Sequence, residues 1–443
     1  MDSITSLSGR FAWAAARVFD GERTLVDHAV LVQDGVISAV LPQHSLPEGV
    51  PLRREPDCTL LPGLIDTHVH FMRWQGPLFL AHGVTTVRDV GNDLEWILAR
   101  RGEWEANLWP RLLCVGPLLD GPGPVHAVVS RGCADAAAAL AAVRETAAAG
   151  VDGIKLYVGL HREWLPAMVR EGQAAGHKVS MHCSGSGVLV AGSAGIDEFF
   201  HLDGILADVW PMHPAGWLSA WGRPEFARTL DRQRDVADAI GALGMTATPT
   251  LAYWDSQWRI RTADHLGSAA MRHVPTAIIE AQGRQAADPV AAALWQRALR
   301  AAQDFVGLLV ARGVPLLAGS DVPCGAVPAG LSLWRELSLL VEAGLSPTQA
   351  LRAATAAAAA FLGQPRLGRL RPGAVADMVL VRGNPMERIP ERPDVVAVIR
   401  HGTAHRPGCL LAAAAAATAT VDNEPWGLQL ALHRAASAAA GTR

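Results

Sequence analysis

Residues 60–70 read LLPGLIDTHVH, an apolar run that ends in two histidines two positions apart. On a strand, side chains two apart project to the same face, so His68 and His70 are placed to hold one ion together. Extended to 59–70, this run is the first of eight of its kind. The others are VTTVRDV (84–90), RLLCVGPLL (111–119), VDGIKLY (151–157), KVSMHC (178–183), IDEFFHL (196–202), MTATPTL (245–251) and PLLAGSD (315–321). Ala-rich stretches of helical length separate them, and AAAGVDGIKLY, AAGHKVSMHC and GALGMTATPT each place a helix-ending Gly just before a strand. Eight strand–helix units in alternation predict an α/β chain folded as a (β/α)8 TIM barrel. The seventh connection, roughly 252–314, has room for an extra helix and a lid-like insertion over the pocket.

The flanks have a different texture. AVLVQDGVISAV within 11–58, and LGRLRPGAVADMVLVRG with DVVAVIRHG within 367–403, are short β runs divided by turn signals. Similar segments on both sides of a barrel predict one small β-sandwich formed from both chain termini. The expected domains are 1–59 with 364–410 as the sandwich, 60–363 as the barrel, and 411–443 as an Ala-rich tail, helical or frayed, with no assigned chemistry.

Composition narrows the function. The 39 Lys+Arg against 42 Asp+Glu leave a net charge of −3, and half the residues are hydrophobic. No basic stripe is present to neutralise phosphates, which argues against nucleic acid. No apolar run approaches the roughly 18 residues of a membrane span; FVGLLVARGVPLLAG is broken by Arg312 and Pro315. The N-terminal stretch lacks the pattern of a secretory signal, so a cytoplasmic protein is expected. The six Cys are scattered singly, as reduced thiols are.

The polar residues at the strand ends carry the chemistry. His68 and His70 close the first strand, Lys155 lies in the fourth, His182 in the fifth, His201 in the sixth and Asp321 in the eighth. With 16 His in the chain, an H-x-H arises by chance roughly 0.6 times, so the spacing alone decides nothing. Singly, each of the others has an ordinary reading too: a hydrogen-bonded core His, a surface Lys, a helix-capping Asp. Their shared register is the stronger observation. C-terminal strand ends face the catalytic mouth of a barrel, and six such groups buried together without an ion would be an expensive cluster.

These strings resemble the metal-dependent amidohydrolase superfamily, and within it the prolidase-like, imidazolonepropionase-related group. LLPGLIDTHVH, GVTTVRDVG, GVDGIKLY, MHCSG, IDEFFHLDG, GVPLLAGSDVP, RELSLLVEAGLSPTQALRAAT and GRLRPGAVADMVLVRGNP keep the family's order from about residue 17 to 403. The resemblance implies a hydrolase of an amide or peptide bond. It implies His68 and His70 on a buried metal, His182 and His201 on an outer one, and a carbamylated Lys155 bridging two Zn2+. Asp321 then touches metal and passes a proton to the leaving amine. A cyclic amide, ester or carbamate hydrolase on the same site is the alternative, and a non-catalytic scaffold a further one. Trimming of a peptide in bottromycin-type natural-product biosynthesis fits the resemblance as well.

The departures bear on substrate. CSGSG follows His182 where deaminase-like relatives carry a Glu, Trp334 stands in LWREL where many relatives have a His, and GPGPVH replaces Gly-Gly-His, leaving His126 as a substrate contact. Tyr157, Arg88, Tyr253 and Trp254 are further candidate contacts. Trp210, Trp217, Trp221, Trp254 and Trp258 crowd the segments after strands six and seven, as walls for an apolar or peptide-like ligand or as core. The expected partner is a small-molecule or peptide substrate, in a monomer or homo-oligomer.

Overall fold

The computed structural model describes residues 9–210, 217–262, 268–281, 288–417, 421 and 423–441. Leu64–Val69, Val84–Asp89 and Arg111–Cys114 pair in parallel as a three-stranded sheet. Ser130–Gly132, Leu118–Asp120, Ile154–Leu156, Val179–His182, Glu198–Phe200 and Thr246–Thr248 pair in that order as a six-stranded parallel sheet. Helices separate most of these strands, so the periodicity of the sequence is met. Gly150, Gly176 and Gly244 end three of those helices at φ of 79°, 86° and 68°, the left-handed turn that glycine adopts without strain.

Two joints connect the sheets into a TIM-barrel-type arrangement, one through a backbone hydrogen bond and the other through isolated bridges rather than a regular ladder. At one, the Asp152 amide donates to Cys114 O at 2.7 Å. At the other, residues 315–322 lie between the seventh strand and the first. Leu317 N donates to Ala247 O (3.0 Å), Thr67 N to Ala318 O (3.0 Å) and His70 N to Val322 O (2.8 Å). The expected eighth strand is therefore a bridging segment rather than a regular strand, and the third is split at Gly116, whose φ is 75°. Gly319 permits the close passage: a Cβ there would lie 2.5 Å from the His68 Cβ. The third correction falls at the start, where 59–62 belong to a strand of the other sheet, Leu52–Pro62, and only Leu64–Val69 to the barrel.

Both ends of the chain meet in one mixed sheet of eight strands. Met378–Arg382 from the C-terminal side pairs antiparallel with Leu52–Pro62 from the N-terminal side. Its period-two alternation divides two cores. Leu60, Met378, Leu380 and Ile399 join Phe11, Trp13 and Val30 in a small core, whereas Leu61, Val379, Val381 and Val398 face the large barrel core. The tail is helical, as Pro407–Ala417 and Pro425–Gly441. Among the described residues no helix is long and apolar enough to cross a membrane.

Candidate active site

Six side chains singled out from sequence register converge. The nearest ligand atoms of His68, His70 and Asp321 lie within 4.8 Å of one another. His68 Nε2 is 3.3 Å and His70 Nε2 3.5 Å from Asp321 Oδ1. The His201 ring stands 4.7 Å from His68 and 4.3 Å from His182, centroid to centroid. Lys155 Nζ lies 4.9 Å from the Phe200 ring centre. His70, Lys155, His182, His201 and Asp321 line a cavity of about 270 Å³, and His68 is fully buried against Asp321. Backbone strain sits here too. His201, Thr250 and Asp321 hold φ of 62°, 51° and 61°, conformations that non-glycine residues adopt at a cost and that the packed strand ends enforce.

Neighbouring groups fix the imidazole tautomers. Gly91 O can only accept, so His70 Nδ1, 3.1 Å away, carries the hydrogen and leaves Nε2 free toward Asp321. Thr250 Oγ1 donates to Pro249 O at 2.8 Å and so accepts from His201 Nδ1 at 2.7 Å, which again frees Nε2. His182 donates through Nε2 to Asp203 Oδ2 at 2.8 Å, leaving Nδ1. Three carbonyl, hydroxyl and carboxylate groups thus hold three rings in ligand form.

Protonation agrees with that form. Burial drives the His68 and His201 imidazoles well below their ordinary value, with Lys155 next in effect on His68 and His182 on His201. Burial opposes ionisation of Asp321, yet His201 and the contacts with His68 and His70 hold its carboxyl well below the usual range. Burial also lowers the Lys155 amine to about 8.

The donor set fits a divalent cation. Among the described residues neither His68 ring nitrogen has a hydrogen-bond partner, although Asp321 is near, and a buried imidazole so placed beside a carboxylate is costly until an ion takes its lone pair. Neutral imidazoles and an anionic carboxylate are the residue types that zinc takes.

The expected substrate contacts divide. His126, Tyr157, Tyr253 and Trp254 line the cavity. His126 Nε2 lies 3.0 Å from the Tyr157 hydroxyl. Arg88 does not line it: its guanidinium is buried beneath, bonded to Glu198 Oε1 at 2.8 Å and Thr67 O at 2.7 Å. Trp221 is buried against Phe226 and Phe305, with ring centres at 4.4 and 5.7 Å, and so belongs to the core. Trp210 and Trp258 are half-buried outside the cavity lining, and the side chain of Trp217 falls outside the described residues. A larger cavity of about 380 Å³ lies along the helix Leu251–Arg259, bordered by Asp255, Arg259, Arg335 and Glu391, apart from the ligand residues.

Three further positions support the arrangement of the site. Asp203 and Thr250 orient His182 and His201, and Glu336 anchors the helix Leu251–Arg259 that bears Tyr253 and Trp254. Glu336 Oε2 accepts from Ala252 N at 2.6 Å, at that helix's N-terminus. Burial raises its carboxyl from 4.5 to about 8. A raised acid favours the fold in its neutral form, so its contribution is complete below its unfolded value and is lost as pH rises through the folded one. Glu336→Gln is permanently neutral, and its melting temperature relative to the parent is expected to climb between about pH 5 and about pH 9. A difference independent of pH would show that Glu336 is charged throughout.

The fourth addition is the C-terminal helix. Trp426, Leu430 and His433 of Pro425–Gly441 line the cavity beside the ligand residues. The Trp426 ring lies 4.2 Å from His70, and its indole N–H donates at 2.7 Å to Gly91 O, the same carbonyl that orients His70.

Comparison with known proteins agrees with this geometry. The amidohydrolase family profile matches residues 59–405, and the NagA composite domain profile matches 11–54. No curated protein sequence matches the chain. Among solved structures, a putative prolidase from Bifidobacterium longum is similar over 92% of this chain and 99% of its own, at 23% identity and a TM-score of 0.68. A bottromycin amidohydrolase is similar over 96% of this chain and 90% of its own, at 25% identity and a TM-score of 0.67. Ochratoxinase from A. niger covers 90% of this chain and 96% of its own, at 18% identity and a TM-score of 0.65. The chain belongs to the amidohydrolase family, with the fold shared by its prolidase-like members.

Proposed function

We propose that this protein is a metal-dependent hydrolase that cuts a carbon–nitrogen bond of an amide or peptide and releases an amine. The observation that carries the reading is the convergence of His70, Lys155, His182, His201 and Asp321 on one cavity, with His68 buried against Asp321 and its ring nitrogens without a hydrogen-bond partner among the described residues. His68, His70 and Asp321 are the residues to hold a deeper cation, and His182 and His201 an outer one, zinc being the choice that the donor set favours. When bound, divalent cations acidify a water and polarise the scissile carbonyl.

The remaining work belongs to the chain. Lys155, with its amine lowered to about 8, keeps a neutral fraction near pH 7. Its Nζ lone pair adds to the carbon of CO2 and a proton leaves, turning a cation into a carboxylate-like anion suited to bridging. Tyr157 and His126 face the cavity with a hydroxyl and an imidazole for the substrate's polar groups. Asp321 takes the proton of the attacking water on a carboxylate oxygen and delivers it to the leaving nitrogen. The likeness to prolidases and to a bottromycin amidohydrolase supports a peptide-like substrate.

A substrate panel tests this. Zinc-loaded protein is given Xaa-Pro and other dipeptides, N-acyl amino acids, the corresponding esters and primary amides. Release of amine from dipeptides or N-acyl amino acids, without ammonia, is the expected result. Turnover confined to esters, or ammonia as the product, would assign the site to other chemistry.

A further inference from the structure

The cavity has a wall that the barrel does not make. Trp426, Leu430 and His433 are spaced i, i+4 and i+7, so one face of the helix Pro425–Gly441 points at the ligand residues. That helix is fastened to several segments around the mouth. Glu424, fully buried just before it, accepts from Arg73 N at 3.0 Å and from Arg73 Nε at 2.8 Å. Trp426 donates to Gly91 O, and Gln429 Oε1 accepts from Val128 N at 2.9 Å. Arg434 Nη1 donates to Ala277 O at 3.1 Å, on the helix Thr276–Ala281. Inside the cavity the His433 ring stands 5.2 Å from His126, and His433 Nε2 lies 3.0 Å from Gln429 Nε2.

Resting on the amide-hydrolase reading, we infer that Leu430 and His433 are specificity-determining residues and that the C-terminal helix restricts the site to short substrates, dipeptides and N-acyl amino acids. A cavity of about 270 Å³ is below the roughly 300–1,000 Å³ of sites for drug-sized ligands. Extension of a peptide beyond the His126 side would meet the helix. Leu430 limits the volume with an apolar surface. His433 places a second imidazole beside His126, so that a polar end group of a short substrate meets two rings. Neither residue contacts Asp321 or the ligand histidines among the ring contacts and hydrogen bonds of the described residues, so their effect is on fit rather than on the reacting atoms.

The experiment has two arms on zinc-loaded, full-length protein. In the first, kcat/KM is measured for a dipeptide and for a tetrapeptide containing the same scissile bond, in the parent, Leu430→Ala and His433→Ala. The parent is expected to favour the dipeptide by at least about tenfold, and Leu430→Ala to narrow that preference at least about threefold with metal content unchanged. In the second arm no hydrolysis is needed. Cys324 lines the cavity, and labelling by iodoacetamide or by a bulky fluorescein maleimide is followed by peptide mapping. Labelling is done at alkaline pH, because burial raises the Cys324 thiol well above its ordinary value, and iodoacetamide is then expected to reach Cys324 in every variant. The maleimide is expected to reach it only when the wall is cut back, by Leu430→Ala or His433→Ala, with exposed Cys409 as the internal control. Equal maleimide access in the parent, or an unchanged dipeptide preference in both point variants, overturns the inference. If the access pattern holds and no amide is cleaved, the wall stands and the amide-hydrolase reading fails.

Discussion

Asp321→Asn is expected to keep the fold and most of the metal, and to turn over an amide substrate at least about 10²-fold more slowly, with KM little changed. The carboxylate sits 3.3 Å from His68 Nε2 and 3.5 Å from His70 Nε2 on a backbone held at φ 61°, so its position does not depend on its charge. Asn is isosteric and keeps the oxygen that reaches the two rings. What it loses is the ability to take and return a proton. His68→Ala serves as the contrast, because it removes a ligand and is expected to lower metal occupancy. Turnover by Asp321→Asn equal to the parent's would place the proton transfer on another group.

Arg88→Met is expected to destabilise the protein by about 3–5 kcal/mol, because it strips a buried carboxylate of its counter-charge. Arg88 Nη2 meets Glu198 Oε1 at 2.8 Å, and Glu198 also accepts from Ser180 Oγ at 2.6 Å and Thr248 Oγ1 at 2.5 Å. These bonds tie the second, fifth, sixth and seventh strands across the interior, and Arg88 Nε on Thr67 O adds the first. Arg88 and Glu198 are both nearly or fully inaccessible to solvent, so screening offers little relief. Arg88→Met combined with Glu198→Gln is expected to recover much of the loss, since no unpaired charge remains. Equilibrium denaturation of the two variants decides the matter. A single variant as stable as the parent, with weakened substrate binding, would return Arg88 to the pocket.

That exchange shows where sequence was informative. The residues at the strand ends were legible because a parallel barrel forces equivalent ends to one mouth, so register alone gathers His68, His70, Lys155, His182, His201 and Asp321. Arg88 also lies near the end of a barrel strand but points inward, below the mouth, and its buried acid lies 110 positions away. No local pattern reports that pairing. Asp203, two residues after His201, and Thr250, just past the seventh strand, stood in quoted strings. Their role needs the distances to His182 and His201. The two-ended sheet was visible as shared β texture, whereas its single mixed ladder depends on the pairing of Leu52–Pro62 with Met378–Arg382.

The C-terminal helix carries a sequence signal of its own. In PWGLQLALHR, Trp426, Leu430 and His433 mark one helical face, a pattern masked by the alanines on either side. Docking of that face on Gly91, Val128 and Arg73 is long-range, and no spacing in the tail encodes where it lands.

In the proposed function, hydrolysis by this site requires metal held on the histidine–aspartate cluster. Chelator-stripped protein is titrated with zinc in bicarbonate buffer, and bound metal and amide hydrolysis are read on the same samples. Close to two ions are expected to bind per chain, with activity that rises from background with occupancy and is absent from His68→Ala at the same free zinc. Full hydrolysis by the stripped protein, or failure of the parent to bind any divalent ion, would contradict that requirement.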